Sequence, residues 1–162
     1  MVESTGMTGM TRNLNLRILA AAISVATMAS TAYAHHSHPY FYDQCTTATI
    51  EGRVEKVEWK DPHTWVVVRV DDGAAYTVDW NSLSALTRDG VIGSAKTALV
   101  FGARVTVTGN PIRTAAQIRE HFPEFTSEVN PRTLDPKSIR RVDDRFNWAQ
   151  RPGVSPPDCG RK

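Results

Sequence analysis

The chain has 162 residues, 41% of them apolar and 22% charged, with 19 Lys and Arg against 17 Asp and Glu. This composition excludes a disordered, fibrous or collagen-like chain, and the near-neutral balance speaks against a polyanion-binding protein. The opening segment reads as a targeting signal. Arg12 and Arg17 precede an apolar run over residues 18–28, and Ala32-Tyr33-Ala34 then supplies the small-x-small pattern that signal peptidase prefers. Residues 1–34 are therefore expected to be a cleaved signal peptide, with the mature chain starting at His35. Removing 34 of the 162 residues leaves 128, enough for one domain with its own core. Loss of Arg12, Arg17 and Glu3 leaves 17 basic and 16 acidic residues, a net charge of about +1. A spanning helix needs about 20 apolar residues, so this run is too short and no membrane span is expected after cleavage. Neither cysteine sits at the end of the run, which argues against a lipoprotein. The expected location is periplasmic or secreted.

Residues 35–45 form a His-rich leader. His35, His36 and His38, with the α-amine that cleavage would free, make a nitrogen-rich set suited to copper, nickel or zinc as divalent ions. A copper site of the third-position type needs His at mature residue three, where cleavage after Ala34 puts Ser37. Cleavage one residue earlier would put His36 there. The plainer alternative is a polar leader that binds nothing tightly. Tyr40, Phe41 and Tyr42 are expected to pack the leader onto the barrel, with stacking on a sugar or base as the alternative. Cys45 and Cys159 are the only cysteines, and in an oxidising compartment a bridge is favoured over two free thiols. That bridge would close a loop of 114 residues, from 45 to 159, and contribute about 4 to 5 kcal/mol by chain entropy.

From Thr46 the pattern is β-like. Ile50, Gly52 and Val54 alternate, whereas Val57 and Trp59 fall on the opposite parity, which predicts a bulge near Glu55-Lys56 in one long bent strand. A valine-dense strand over 64–70 ends at the turn Asp71-Asp72-Gly73, and Ala74, Tyr76, Val78 and Trp80 alternate in a third strand. Asn81 or Ser82 can cap a short helix over 83–89 that stops at Gly90. A fourth strand reads over 103–108 and a fifth around 138–142. Three strands, one short helix and two further strands define the predicted fold class: all-β, a small OB-like five-stranded barrel over 46–147. Between the last two strands lies an insertion at 111–137 with four prolines and one helical stretch at 114–121. OB folds use this connection as a ligand-facing loop, the alternative being a plain surface insertion. The Pro-rich tail, 148–162, is expected to be irregular.

The segment Trp59-Lys60-Asp61-Pro62-His63-Thr64-Trp65 joins the first two strands. A hairpin centred on Pro62 would make Trp59 and Trp65 cross-strand neighbours. Asp61 can close an Asx turn and orient His63 as a metal ligand or proton carrier, and the alternative is a well-made turn with a solvated histidine. Tyr76 and Trp80 share the parity of Val78 and read as core. Lys137, Arg140, Arg141 and Arg145 are interrupted by Asp143 and Asp144 and read as a salt-bridged face, so no nucleic-acid partner is expected. There is no G-x-S-x-G, Walker loop, H-E-x-x-H, or H-x-E with C-x-x-C, and an enzyme is not expected.

His35-His36-Ser37 directly after the signal segment, together with Val57-Glu58-Trp59-Lys60-Asp61-Pro62-His63-Thr64-Trp65, resembles a family of small secreted bacterial proteins of unknown function. The resemblance continues through Val78-Asp79-Trp80, the 83–90 helix and the strand at 102–109. It implies fold and location and carries no activity. The reading as a whole is an exported binding protein that takes a divalent transition metal through His35, His36 and His38, with His63 as a further ligand. The alternative is a non-catalytic module that binds an envelope protein partner through the 111–137 insertion.

Overall fold

Alternating apolar residues and two bulges shape the barrel seen in a computed structural model of the chain, which describes residues 38–150 and Cys159, with the backbone alone at His38. The expected signal peptide, together with His35 and His36, lies outside the described residues. The elements are α1 (His38–Phe41), β1 (Ala48–Glu58), β2 (Thr64–Val70), β3 (Ala75–Trp80), α2 (Leu83–Arg88), α3 (Ile92–Ala98), β4 (Arg104–Pro111), α4 (Ala115–Arg119), β5 (Thr133–Arg141) and β6 (Asn147–Ala149). β1 pairs antiparallel with β2 and β4, β2 with β3, and β4 with β5. A short parallel seam, Thr77 to Thr133 and Val78 to Leu134, joins β3 to β5 and closes the ring. The result is a closed five-stranded barrel of OB type.

β1 serves two neighbours because it bends. Its register to β2 shifts between Val54 and Lys56, so Glu55 is the extra residue and the inward parity passes from Ile50 and Val54 to Val57. β5 repeats the device: Ser138 faces Thr108 and Pro136 faces Gly109, leaving Lys137 as the extra residue. Inward side chains from all five strands, among them Val54, Val66, Val68, Val78, Val105, Val107, Leu134 and Ile139, fill the interior with almost no exposure. At Gly52 a side chain would strike the backbone carbonyl of Arg69. The barrel end is plugged by Trp80, which packs against Trp59, Phe146 and Trp148.

The expected helix starts at Leu83, where the Ser82 hydroxyl accepts from the Ala85 N–H (3.1 Å), and stops before Gly90 at φ +72°. A second helix, α3, follows it. Four sequence expectations need correction. The fifth strand starts at Thr133, not near 138, because the Lys137 bulge hides its alternation and Pro136 sits beside that bulge. The insertion accordingly spans 112–132, since Pro111 ends β4 and 133–137 belong to β5. The tail opens with a sixth strand, β6, which pairs with β5 through Trp148 and Ile139. Trp59 does not face Trp65. The last β1–β2 pair is Glu58 with Trp65, so Trp59 leaves the strand on the inner side and Trp65 points outward. The expected bridge between Cys45 and Cys159 is formed, with their Cα atoms 5.4 Å apart.

Candidate functional site

His63 ends the five-residue connection between β1 and β2. That connection is pinned from below: Asp61 accepts hydrogen bonds from the Ser84 N–H (3.0 Å) and hydroxyl (2.8 Å), and these hold its carboxyl below the usual range. Asp61 is thus committed to the start of α2, so it does not orient His63. Asp79 takes that role, its Oδ1 lying 2.6 Å from His63 Nδ1. A carboxylate only accepts, so Nδ1 donates and, in the neutral ring, the lone pair sits on Nε2.

Asp79 follows Val78 in β3 and so projects from the outer face of the barrel, opposite Trp65 in the β2–β3 register. It is nonetheless only 6% exposed. Tyr42 covers it, donating its hydroxyl to Asp79 Oδ2 at 2.5 Å. Burial first, then the charge of Asp79, the hydrogen bond to it and the charge of Asp135, push the Tyr42 hydroxyl far above its ordinary range, so it remains the protonated donor. Asp135 succeeds Leu134 as Asp79 succeeds Val78, which brings both carboxylates to the same outer side of the β3–β5 seam. The ring of Trp65 lies 6.2 Å from that of His63. Tyr42, Asp79 and His63 therefore form one hydrogen-bonded row across β3, on the face that OB barrels use for ligands.

The leader is fixed to this face. Tyr42 bridges to Ile112, the Arg113 N–H donates to the Phe41 carbonyl (2.8 Å), and the Asp43 N–H donates to the Pro111 carbonyl (2.9 Å). Tyr42 packs the leader onto the barrel as expected, whereas Tyr40 and Phe41 pack against aromatic rings of the insertion. Of the expected metal ligands, His63 is on the barrel, half-buried and aligned by Asp79, and His38 opens α1. Among the described residues, no group of three or more His, Cys, Asp or Glu side chains could hold a metal ion. Asp79 escaped the sequence reading because an acidic residue at an outward strand position looks solvated. The signal available was its setting in Val78-Asp79-Trp80, between two core residues.

Fold and site together define an OB-type barrel that carries a carboxylate-aligned histidine beside the outer face of β3. The chain belongs to DUF6152, a family of unknown function, which matches residues 21–119 and so includes Tyr42, His63 and Asp79. No curated protein matches the chain. Among solved structures, a chain of the S. pombe Stn1–Ten1 complex is similar at 17% identity and a TM-score of 0.40, over 60% of this chain and 59% of that one. The chain thus spans about three-fifths of that protein's length. The family description carries no catalytic activity. The disulfide fits an oxidising compartment, and among the described residues no helix is long and apolar enough to cross a membrane.

Proposed function

We propose that the protein is an exported, periplasmic or secreted binding protein for a divalent transition metal ion, copper, nickel or zinc, with His35, His36, His38 and His63 as nitrogen donors. The observation that carries the reading is the 2.6 Å contact between His63 Nδ1 and a buried carboxylate. A carboxylate behind an imidazole fixes its tautomer and ring orientation, the arrangement met behind metal-ligating histidines. Tyr42, which anchors that carboxylate, lies four residues after His38. The competing reading, an envelope protein docked on the insertion, has less support because the insertion's aromatic rings already pack on the leader.

The test is calorimetric titration of the processed chain, its amino terminus free at His35, with Cu(II), Ni(II) and Zn(II). Submicromolar binding is expected, lost on His35→Ala or His63→Ala and weakened about 10- to 100-fold by Asp79→Asn. Affinity should also fall steeply below about pH 6.5, as imidazoles protonate. Binding indifferent to both histidine substitutions would refute the proposal.

A further inference from the structure

We infer that the chain pairs with a second copy of itself through the outer face of β2, β1 and β4, each copy seating Phe101 in a groove of the other. The inference goes beyond the metal-binding reading and stands apart from it, because this face is remote from His63. His63 precedes β2, whereas Arg69 stands near its other end, about 20 Å along the strand at about 3.3 Å per residue.

The face begins as a conflict of charge. Arg53 in β1 is in register with Arg69 of β2 on one side and with Arg104 of β4 on the other. All three alternate with the inward residues Val54, Val68 and Val105 and so lie on the outer face. Like charges directly opposite one another repel. Two of the three are offset within the chain: Arg69 pairs with Glu55 (2.7 Å), and Arg104 with Glu51 (2.7 Å) and Asp71 (3.1 Å). The central one, Arg53, has no carboxylate partner among the described residues. Its Nη1 donates to the Gly102 carbonyl (3.0 Å), which steadies the guanidinium and leaves its other N–H groups for an acceptor from outside. Asp71 is a carboxylate on the same face with an oxygen to spare. Its side chain is 74% exposed, and only Oδ2 is engaged, by Arg104.

Beside Arg53 the face turns apolar. The turn before β4 holds Phe101 with 83% of its surface exposed. That turn is fastened to the barrel: the N–H of Gly102, at φ +79°, donates to the Val54 carbonyl (2.7 Å), and the Ala103 N–H donates to the Val100 carbonyl (3.0 Å). The backbone under the ring is therefore ordered before any partner arrives. Phe101 forms one wall of an open groove of about 370 Å³, with Arg53, Arg69, Val70 and Gly102 among the others. A wall cannot fill its own groove, whereas the same ring from a second copy can. In a two-fold dimer every contact occurs twice, residue i on j and j on i. Phe101 of each copy then enters the groove of the other, and Arg53 of each meets Asp71 of the other. An unmatched base and a spare acid on one face make that face its own complement, and an aromatic ring with an arginine beside it is the composition of an interface centre.

The test is the mass of the oxidised, processed chain by sedimentation equilibrium without metal, from about 1 µM to about 0.5 mM. The mass should rise toward twice the single-chain value, and Phe101→Ala should weaken the association at least about 30-fold. Arg53→Asp and Asp71→Arg should each stay monomeric, since either one sets like charges together twice. Mixed in equal amounts, these two variants should pair, because an acid at position 53 then meets a base at position 71 in one contact and Asp71 meets Arg53 in the other. A parent chain still monomeric at about 0.5 mM overturns the inference, as does a dimer indifferent to Phe101→Ala. A mixture that stays monomeric overturns the contact between Arg53 and Asp71. Should either charge variant fail to fold, Phe101→Ala, which trims an exposed ring, decides alone. A monomer that instead takes up decanoate, and loses it on Phe101→Ala, assigns the groove to a small apolar anion and overturns the dimer.

Discussion

Replacing Tyr42 by Phe removes one oxygen from the Asp79 row and nothing else. The phenol is 4% exposed and donates at 2.5 Å to a carboxylate that is itself 6% exposed, so no water takes its place without rearrangement. A hydrogen bond to a charged acceptor of this kind contributes about 1.5 to 3 kcal/mol. For a domain of this size that corresponds to a fall in Tm of about 5 to 12 °C. Urea unfolding at neutral pH should show a lower midpoint with an unchanged slope, since the surface exposed on unfolding is the same. The pH dependence supplies a second reading. Tyr42 has a folded pKa raised above its unfolded value of 10.0, so its contribution is fully present below pH 10 and is lost as pH rises further, at up to about 1.4 kcal/mol per pH unit. The difference between parent and variant should therefore shrink above pH 10. Combining Tyr42→Phe with His63→Ala should give a coupling of at least about 0.5 kcal/mol, because both groups lean on one carboxylate. A loss below about 0.5 kcal/mol, with no change in the alkaline difference, would refute the row as a coupled unit.

Removing the disulfide by Cys45→Ser/Cys159→Ser should cost up to about 4 to 5 kcal/mol, read as a fall in urea midpoint that reductant reproduces in the parent chain. Glu58 is held at about 2 by hydrogen bonds first from Lys56 and then from Lys60, below its ordinary 4.5. Its contribution is present above 4.5 and lost as pH falls toward 2, so Glu58→Gln should flatten that limb of the stability curve, and carboxyl NMR titration should find the low midpoint directly. Gly52→Ala places a methyl 2.9 Å from Val68 Cγ1 and against the Arg69 carbonyl, and should destabilise by about 1 to 3 kcal/mol in thermal unfolding.

The barrel was legible where alternation is uninterrupted. The switch of parity after Val54 located the β1 bulge, the valines of β2 marked its bounds, and Ser82 and Gly90 framed α2. β5 was shortened because a bulge and a proline fall within five residues of its start, so neither parity nor propensity favours a strand there. β6 has three residues and owes its existence to the edge of β5, a tertiary fact that local sequence does not carry. The site was half visible. His63 stood out beside a turn, but Asp61, its neighbour in sequence, is spent on Ser84, whereas Asp79 reaches it only because β2 and β3 pair. Tyr42 could be read as an anchor of the leader, yet nothing local named a carboxylate as its partner.

The Cys45–Cys159 bridge makes a single covalent ring of everything between those residues, the five barrel strands and the insertion included. A protease that nicks the exposed stretch around Arg119 and Glu120 would open the ring without releasing a fragment. The two halves would stay joined at sulfur and held across the β4–β5 and β3–β5 pairings. Such a chain migrates as one species until it is reduced, and a break in its most accessible connection need not end its working life.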